Sequence, residues 1–224
     1  MIQDAARRAT MAGMSDSGTL PRHARLRADL ATALATAAPG DPTLCEGWQA
    51  RHLAAHILTR QRSPRLHSPA FWALADRAQD PEVYAGLVAR VADPPPRLSP
   101  HAWAGDLMNV TEFFVHAEDV RRGPGDVPAR TLDDDVVQSL WRQLAVAARF
   151  AYRGAGPGVV LVAPGVGRRR ASRARRDAGT VVVTGDVGEL VLHASGRGDH
   201  AHVTVTGDDT DVAALDAVRP GPRG

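Results

Sequence analysis

Glu112 and His116 stand four residues apart in the run Asn109-Val110-Thr111-Glu112-Phe113-Phe114-Val115-His116-Ala117-Glu118-Asp119. At about 100° and 1.5 Å per residue, a helix puts both on one face, about 6 Å apart along its axis. Asn109 and Asp119 fall on the same stripe, flanked by Met108 and Val115 on one side and by Phe113 and Val120 on the other. A polar stripe between two apolar edges suits a seam inside a helical assembly better than a solvent face. A second histidine, His56, lies between apolar Leu53 and Ile57 and is expected to point inward as well. Two imidazoles and one carboxylate can share a divalent metal and leave coordination positions open, which is the ligand set of a catalytic metal. A plainer chemistry fits the same residues: Glu112 and His116 as an i,i+4 hydrogen-bonded pair and His56 as a satisfied core histidine.

Several elements must position these groups. Residues 21–38 read as a helix, with Pro21 at a first helical position and Leu26, Leu30, Ala33 and Leu34 at helical spacing. Pro39-Gly40-Asp41-Pro42 ends it, and a loop through Cys45 and Trp48 leads to a second helix over 49–61. Shorter helices are expected over 71–78 and 82–92, the latter stopped by Pro94-Pro95-Pro96. The helix over 106–121 carries the polar stripe. Another follows over 132–153, with Val136, Leu140, Leu144, Ala147 and Ala148 on one face. After Gly154 the character changes. Residues 159–163, 180–184 and 202–206 read as strands, with helices over 187–195 and 211–218. The order predicts an α+β chain: a helical part over 19–153, then a small C-terminal α+β domain over 158–218, with tails at 1–18 and 219–224.

Composition narrows the function classes. The chain has 224 residues, 44% hydrophobic and 23% charged, so a packed core is expected rather than disorder. No apolar run approaches the roughly 18 residues of a membrane-spanning helix, and no membrane partner is expected. Residues 1–18 lack the hydrophobic stretch of a secretory signal. Cys45 is the only cysteine, which excludes an internal disulfide and fits a reducing cytoplasm. All 27 basic residues are arginine, against 25 acidic residues, for a net charge of +2. So small a net charge makes no general case for nucleic acid as a partner.

The motifs also resemble a known family. Cys45-Glu46-Gly47-Trp48 followed by Leu53-Ala54-Ala55-His56 resembles the N-terminal signature of the mycothiol-dependent maleylpyruvate isomerase superfamily, within the DinB-like metal-binding bundles. Asn109 to Arg122, NVTEFFVHAEDVRR, is similar to the second signature of an actinobacterial branch of that superfamily. Thr184-Gly185-Asp186, Glu189-Leu190 and Gly196-Arg197 resemble its C-terminal domain, so the likeness spans about residues 20 to 218. The resemblance implies a DinB-like four-helix bundle with a divalent metal, usually zinc, held by His56, Glu112 and His116. It also implies mycothiol, a low-molecular-weight thiol, as co-substrate. A metal lowers a thiol's pKa; in an isomerase of this type the thiolate adds to a cis double bond, and rotation and elimination give the trans isomer. Arg60, Arg62 and Arg197 are the candidates to hold an anionic thiol sugar or a small anionic substrate. The chain departs from the pattern at His52, where an acidic residue is common, and at Ala117, where the branch often has a second histidine. His52, one turn before His56, is an alternative ligand. Asp119 is a candidate to orient a ligand histidine, or else to pair with Arg121 or Arg122. A non-catalytic metal-binding regulator on the same bundle is the competing reading, and the molecule is expected as a monomer or homodimer.

Other features are read as structural. Arg168-Arg169-Arg170 with Arg173, Arg175 and Arg176 could bind phosphate, but no aromatic residues interleave, and the segment reads as a solvated hairpin turn. Cys45 is read as packing. His193, His200 and His202 suit a strand edge and turn, with no partner carboxylate set. Trp48 and Trp141 are expected in the core, and Trp72 and Trp103 as core or cover. Gly165 and Gly167 make no phosphate loop, since no Gly-Lys-Ser/Thr follows.

Overall fold

The computed structural model describes residues 20–60, 68–95 and 105–218, leaving aside the side chains of Leu107 and Met108. Arg62, Trp103, the Met108 flank of the stripe and both tails lie outside the described residues. Helix α1 spans Arg22–Thr36, α2 Ala50–Arg60, α3 Pro69–Arg77, α4 Pro81–Ala92, α5 Asp106–Arg122 and α6 Asp134–Ala151. Strands β1 (Gly158–Ala163), β2 (Gly167–Ser172) and β3 (Thr180–Thr184) follow, then α7 (Val187–Ala194), a short 3-10 turn over Gly198–His200, β4 (Thr204–Thr206) and α8 (Asp209–Asp216). The chain is therefore α+β, with eight α-helices and one four-stranded sheet among the described residues.

Local chemistry starts and stops the helices. Ser68 Oγ accepts from the Phe71 N–H, and Asp80 accepts from the Glu82 and Val83 N–H groups at 2.8 and 3.2 Å. Pro69 and Pro81 take the first helical position, where no N–H is needed. In α5, Asp106 opens the first turn and Arg121 and Arg122 close the last, each complementing the helix dipole. α1 packs against α4 and α5, α2 against α3 and α4, and α5 against α6. Val136, Leu140, Leu144 and Ala148 form the buried face of α6, but Ala147 is exposed. By helical angle it falls between Val136 and Leu140, so its exposure comes from what covers the last turns of α6 and not from its place around the helix.

The sheet order is β2-β1-β3-β4, with β1 parallel to β3 and the other pairs antiparallel. β2 is an addition to the sequence expectation. Arg168, Arg169 and Arg170 lie on a paired edge strand rather than in a turn, and the turn is the short Pro164–Val166 link before it. Three consecutive arginines hide the alternation that marks a strand. β4 is shorter than expected, at three residues. His193 lies on α7, not on a strand edge, and the Tyr152 hydroxyl meets its Nδ1 at 2.6 Å. α7 packs on α5, α6 and β1, and the buried apolar residues of helices and sheet belong to one continuous cluster. At the α5–α7 contact, a Cβ on Gly188 would come within 2.9 Å of the Phe114 ring, so only glycine fits there.

Candidate metal centre

The two helices singled out by their histidines face each other across the helical part. α5 carries Glu112, His116 and Asp119; α2 carries His56 and Arg60. His56 and His116 are 3% and 6% exposed, so the stripe is indeed a buried seam. One ligand atom each from His56, Glu112 and His116 lies within 4.8 Å of the others. Glu112 Oε1 is 3.4 Å from His56 Nε2 and 3.7 Å from His116 Nε2, and the two rings sit 5.2 Å apart, nearly edge-on. Neither His56 Nε2 nor Glu112 Oε1 makes a hydrogen bond, although both are buried. Buried polar atoms are normally satisfied, so two orphans aimed at one point have the chemistry to hold a cation between them.

Charge and burial compete here. Burial pushes the His56 imidazole below its usual pKa; Glu112 opposes this, while His116 and Arg60 add to it. Burial alone would raise the Glu112 carboxyl, but His56, His116 and Arg60 together outweigh it and hold Glu112 below the ordinary carboxylate range. A deprotonated His56 and an ionised Glu112 are the forms that ligate metal.

Behind His116 a second set of contacts fixes the ring. His116 Nδ1 lies 2.9 Å from Asp119 Oδ2. Arg197 reaches the same carboxylate twice, Nε to Oδ1 at 2.9 Å and Nη2 to Oδ2 at 2.8 Å. The Cys45 thiol also donates to Oδ2, at 3.2 Å. Burial acts to raise the Asp119 carboxyl, yet His116 and Arg197 hold it down to about 2. An ionised carboxylate only accepts, so Nδ1 is the nitrogen that donates, and Nε2 is left to face Glu112 and His56. Orientation of a metal-binding histidine by a carboxylate is a recurrent arrangement. Cys45, His116 and Asp119 are themselves close enough to hold a cation. Arg197, with Nη2 3.4 Å from Cys45 Sγ, already places a positive charge there, and burial and the Asp119 charge push the thiol's pKa up, away from thiolate.

The loop that carries Cys45 is strapped to the end of α5. The Leu44 N–H donates to the Asp119 carbonyl at 3.0 Å. Gly123 makes this approach feasible, because a Cβ there would collide with the Pro42 carbonyl oxygen. Trp48 on the same loop packs its ring 5.2 Å from the His56 ring, closing one side of the site.

The other expected residues divide. His52 does not join the ligand atoms. Its Nδ1 accepts from the Gln49 N–H at the start of α2, and its ring lies among Phe71 and Trp72, so desolvation and the Arg51 charge lower its pKa against the opposing pull of Asp76. Arg60 is at the site but engaged with it, Nη1 lying 2.8 Å from Glu112 Oε2. Arg197 is buried and braces Asp119 rather than offering an open guanidinium. Asp119 pairs with neither Arg121 nor Arg122; those two arginines bind Glu118 instead, and Arg122 also reaches Glu189 on α7. The braces from Arg197 and Cys45 were not legible, since they join positions 78 and 74 residues away from Asp119.

Fold and site together describe an α+β chain with a buried imidazole–carboxylate seam suited to a divalent cation. No protein-family model matches the chain, and no curated protein matches it. Its fold is that of a solved mycothiol-dependent maleylpyruvate isomerase, with 22% identity and a TM-score of 0.55 over 88% of this chain and 97% of the other. A mutant of that enzyme matches over the same shares at 23% identity and a TM-score of 0.55. At such identity the likeness establishes the fold, including both the helical part and the sheet.

Proposed function

We propose that His56, Glu112 and His116 hold a divalent metal, zinc first among the candidates, in a DinB-like four-helix bundle. The chain would use it to activate a low-molecular-weight thiol such as mycothiol for isomerisation or thiol transfer on a small anionic substrate. The observation that carries this reading is the pair of buried, unsatisfied atoms, His56 Nε2 and Glu112 Oε1, converging with His116 on one point. The shared fold with a mycothiol-dependent isomerase supports the choice of thiol chemistry. A bound divalent metal would supply stabilisation of a thiolate at neutral pH.

The chain's own residues supply the rest. Asp119 holds the His116 ring and its hydrogen at Nδ1, and Arg197 and Cys45 hold Asp119. Trp48 keeps water from one side of His56. Arg60, partly exposed at the rim, is placed to move from Glu112 to an anionic group of a ligand. Three protein ligands leave positions open for a thiol, as a catalytic rather than a structural site requires. A single buried cysteine and small-thiol chemistry fit a reducing cytoplasm.

The test is metal content by elemental analysis, on the tag-free wild type and on His56→Ala and Glu112→Ala. About one divalent metal per chain, lost in both variants, is expected. Full occupancy in both variants, or none in the wild type after reconstitution, would return the three residues to a structural cluster. Metal-loaded protein that shows no thiol-dependent turnover would favour a non-catalytic regulator.

A further inference from the structure

Six arginines fall within nine residues: Arg168, Arg169, Arg170, Arg173, Arg175 and Arg176. Arg169 is accounted for, its guanidinium lying 4.7 Å above the Trp141 ring on α6. The other five are exposed, and among the described residues none makes an ion pair with an acid. Asp177, the nearest acid in the chain, is exposed and forms no ion pair among the described residues. Arg168 and Arg170 belong to β2, the outermost strand of the sheet, whose far side has no strand partner among the described residues. Such an edge presents a row of main-chain donors and acceptors. Strand alternation sends Arg168 and Arg170 to the face opposite Arg169 and Ala171, beside Val162 and Val160 on β1. The basic charge then continues past the strand's end, through Arg173 to Arg176.

We propose that the β2 edge receives an extended acidic segment of a partner protein, added as a fifth strand with carboxylates at alternate positions. Main-chain bonds to the free edge supply affinity, and Arg168 and Arg170 read the alternate side chains. The arginines also select against other occupants. A second copy of β2 would set guanidinium against guanidinium, and an apolar strand would bury unpaired charge. Single-stranded nucleic acid is disfavoured because the run 168–176 itself holds no aromatic residue for bases to stack on. This inference does not depend on the metal reading.

Fluorescence anisotropy tests it directly. A labelled ten-residue peptide of alternating Glu and Val is titrated with the full chain at low and moderate salt. Saturable binding is expected, weakened at least about tenfold by Arg168→Gln/Arg170→Gln and further by Arg168→Glu/Arg170→Glu. Arg149→Glu, an exposed charge change on α6, is expected to change it less than about twofold. Amides of residues 167–172 are expected to gain hydrogen-exchange protection on binding. Circular dichroism melts confirm that the variants fold. Absence of binding would overturn the proposal. So would equal binding of a same-charge peptide with proline at alternate positions, since charge alone would then suffice. Tighter binding of an oligonucleotide of equal charge would reassign the edge to nucleic acid.

Discussion

Asp119 concentrates the electrostatics of the site in one carboxylate. It is fully buried and meets the His116 ring, the Arg197 guanidinium and the Cys45 thiol. Removing it leaves Arg197 buried without a counter-charge, which is the costly way to break a buried pair. Asp119→Ala is expected to lower stability by about 3–5 kcal/mol in denaturant unfolding. Any metal bound at His116 should then also be held more weakly, by about 10–100-fold in a chelator competition. Cys45 leads to a chemical expectation. It is 1% exposed, and burial and the Asp119 charge raise its pKa, so the thiol stays protonated at neutral pH. Native protein at pH 8 should resist alkylation by iodoacetamide, while unfolded protein should react at the rate of an ordinary thiol. Rapid modification of the native state would show that the Cys45 loop opens.

Between elements, two contacts decide how α5 is held. At its C-terminal end, Gly123 lies against the Pro42–Thr43 backbone with no room for a side chain. Gly123→Ala must push the Cys45 loop away, at about 1–3 kcal/mol, and urea unfolding checks it. At the N-terminal end, Asp106 accepts from Arg22 Nη1 at 3.0 Å and from the His23 main-chain N–H at 3.1 Å, tying α5 to the start of α1. Desolvation acts to raise the Asp106 carboxyl, but the His23 and Arg22 hydrogen bonds outweigh it and lower its pKa. A depressed folded-state value means the contact stabilises above the ordinary Asp value of about 4 and is lost as pH falls through the folded value. Asp106→Asn is therefore expected to lower the melting temperature at pH 7, with a difference that shrinks as the pH falls below about 4.

At the scale of the molecule, charge and core cross from the helices to the sheet. Arg122 on α5 joins Glu118 on its own helix to Glu189 on α7, at 2.7 Å to each, with all three groups buried. Glu189 in turn accepts from the His202 N–H at 2.7 Å, which fixes the chain just before β4. Leu190 is fully buried beside it, in the apolar cluster that both parts share. Such continuity predicts one cooperative transition, with tryptophan fluorescence from the helices and far-ultraviolet dichroism melting together. Leu190→Ala, which empties about three methyl-sized groups from that cluster, should shift both signals equally, by about 2–5 kcal/mol. Separate shifts would mean that the two parts melt independently.

The sequence by itself determined most helices, because apolar periodicity, proline starts and aspartate caps all act within a few residues. It determined that Glu112 and His116 share a face, since four residues on one helix leave no other choice. It placed His56 inward from its apolar neighbours and from a family resemblance, though nothing in short windows says which helices meet. Only tertiary structure decided the rest. β2 was hidden because its arginines are tolerated on an open edge, where one face meets solvent and Arg169 finds the Trp141 ring. Arg197 read as a free cation for a ligand and became a brace, because its partner Asp119 is 78 residues away. His52 and His56 stand one turn apart on α2, yet burial beside Glu112 falls to His56, while His52 turns toward Phe71 and Trp72. Local patterns arise from interactions a few residues long; which charge meets which is set by how the elements pack, and that depends on the whole chain at once.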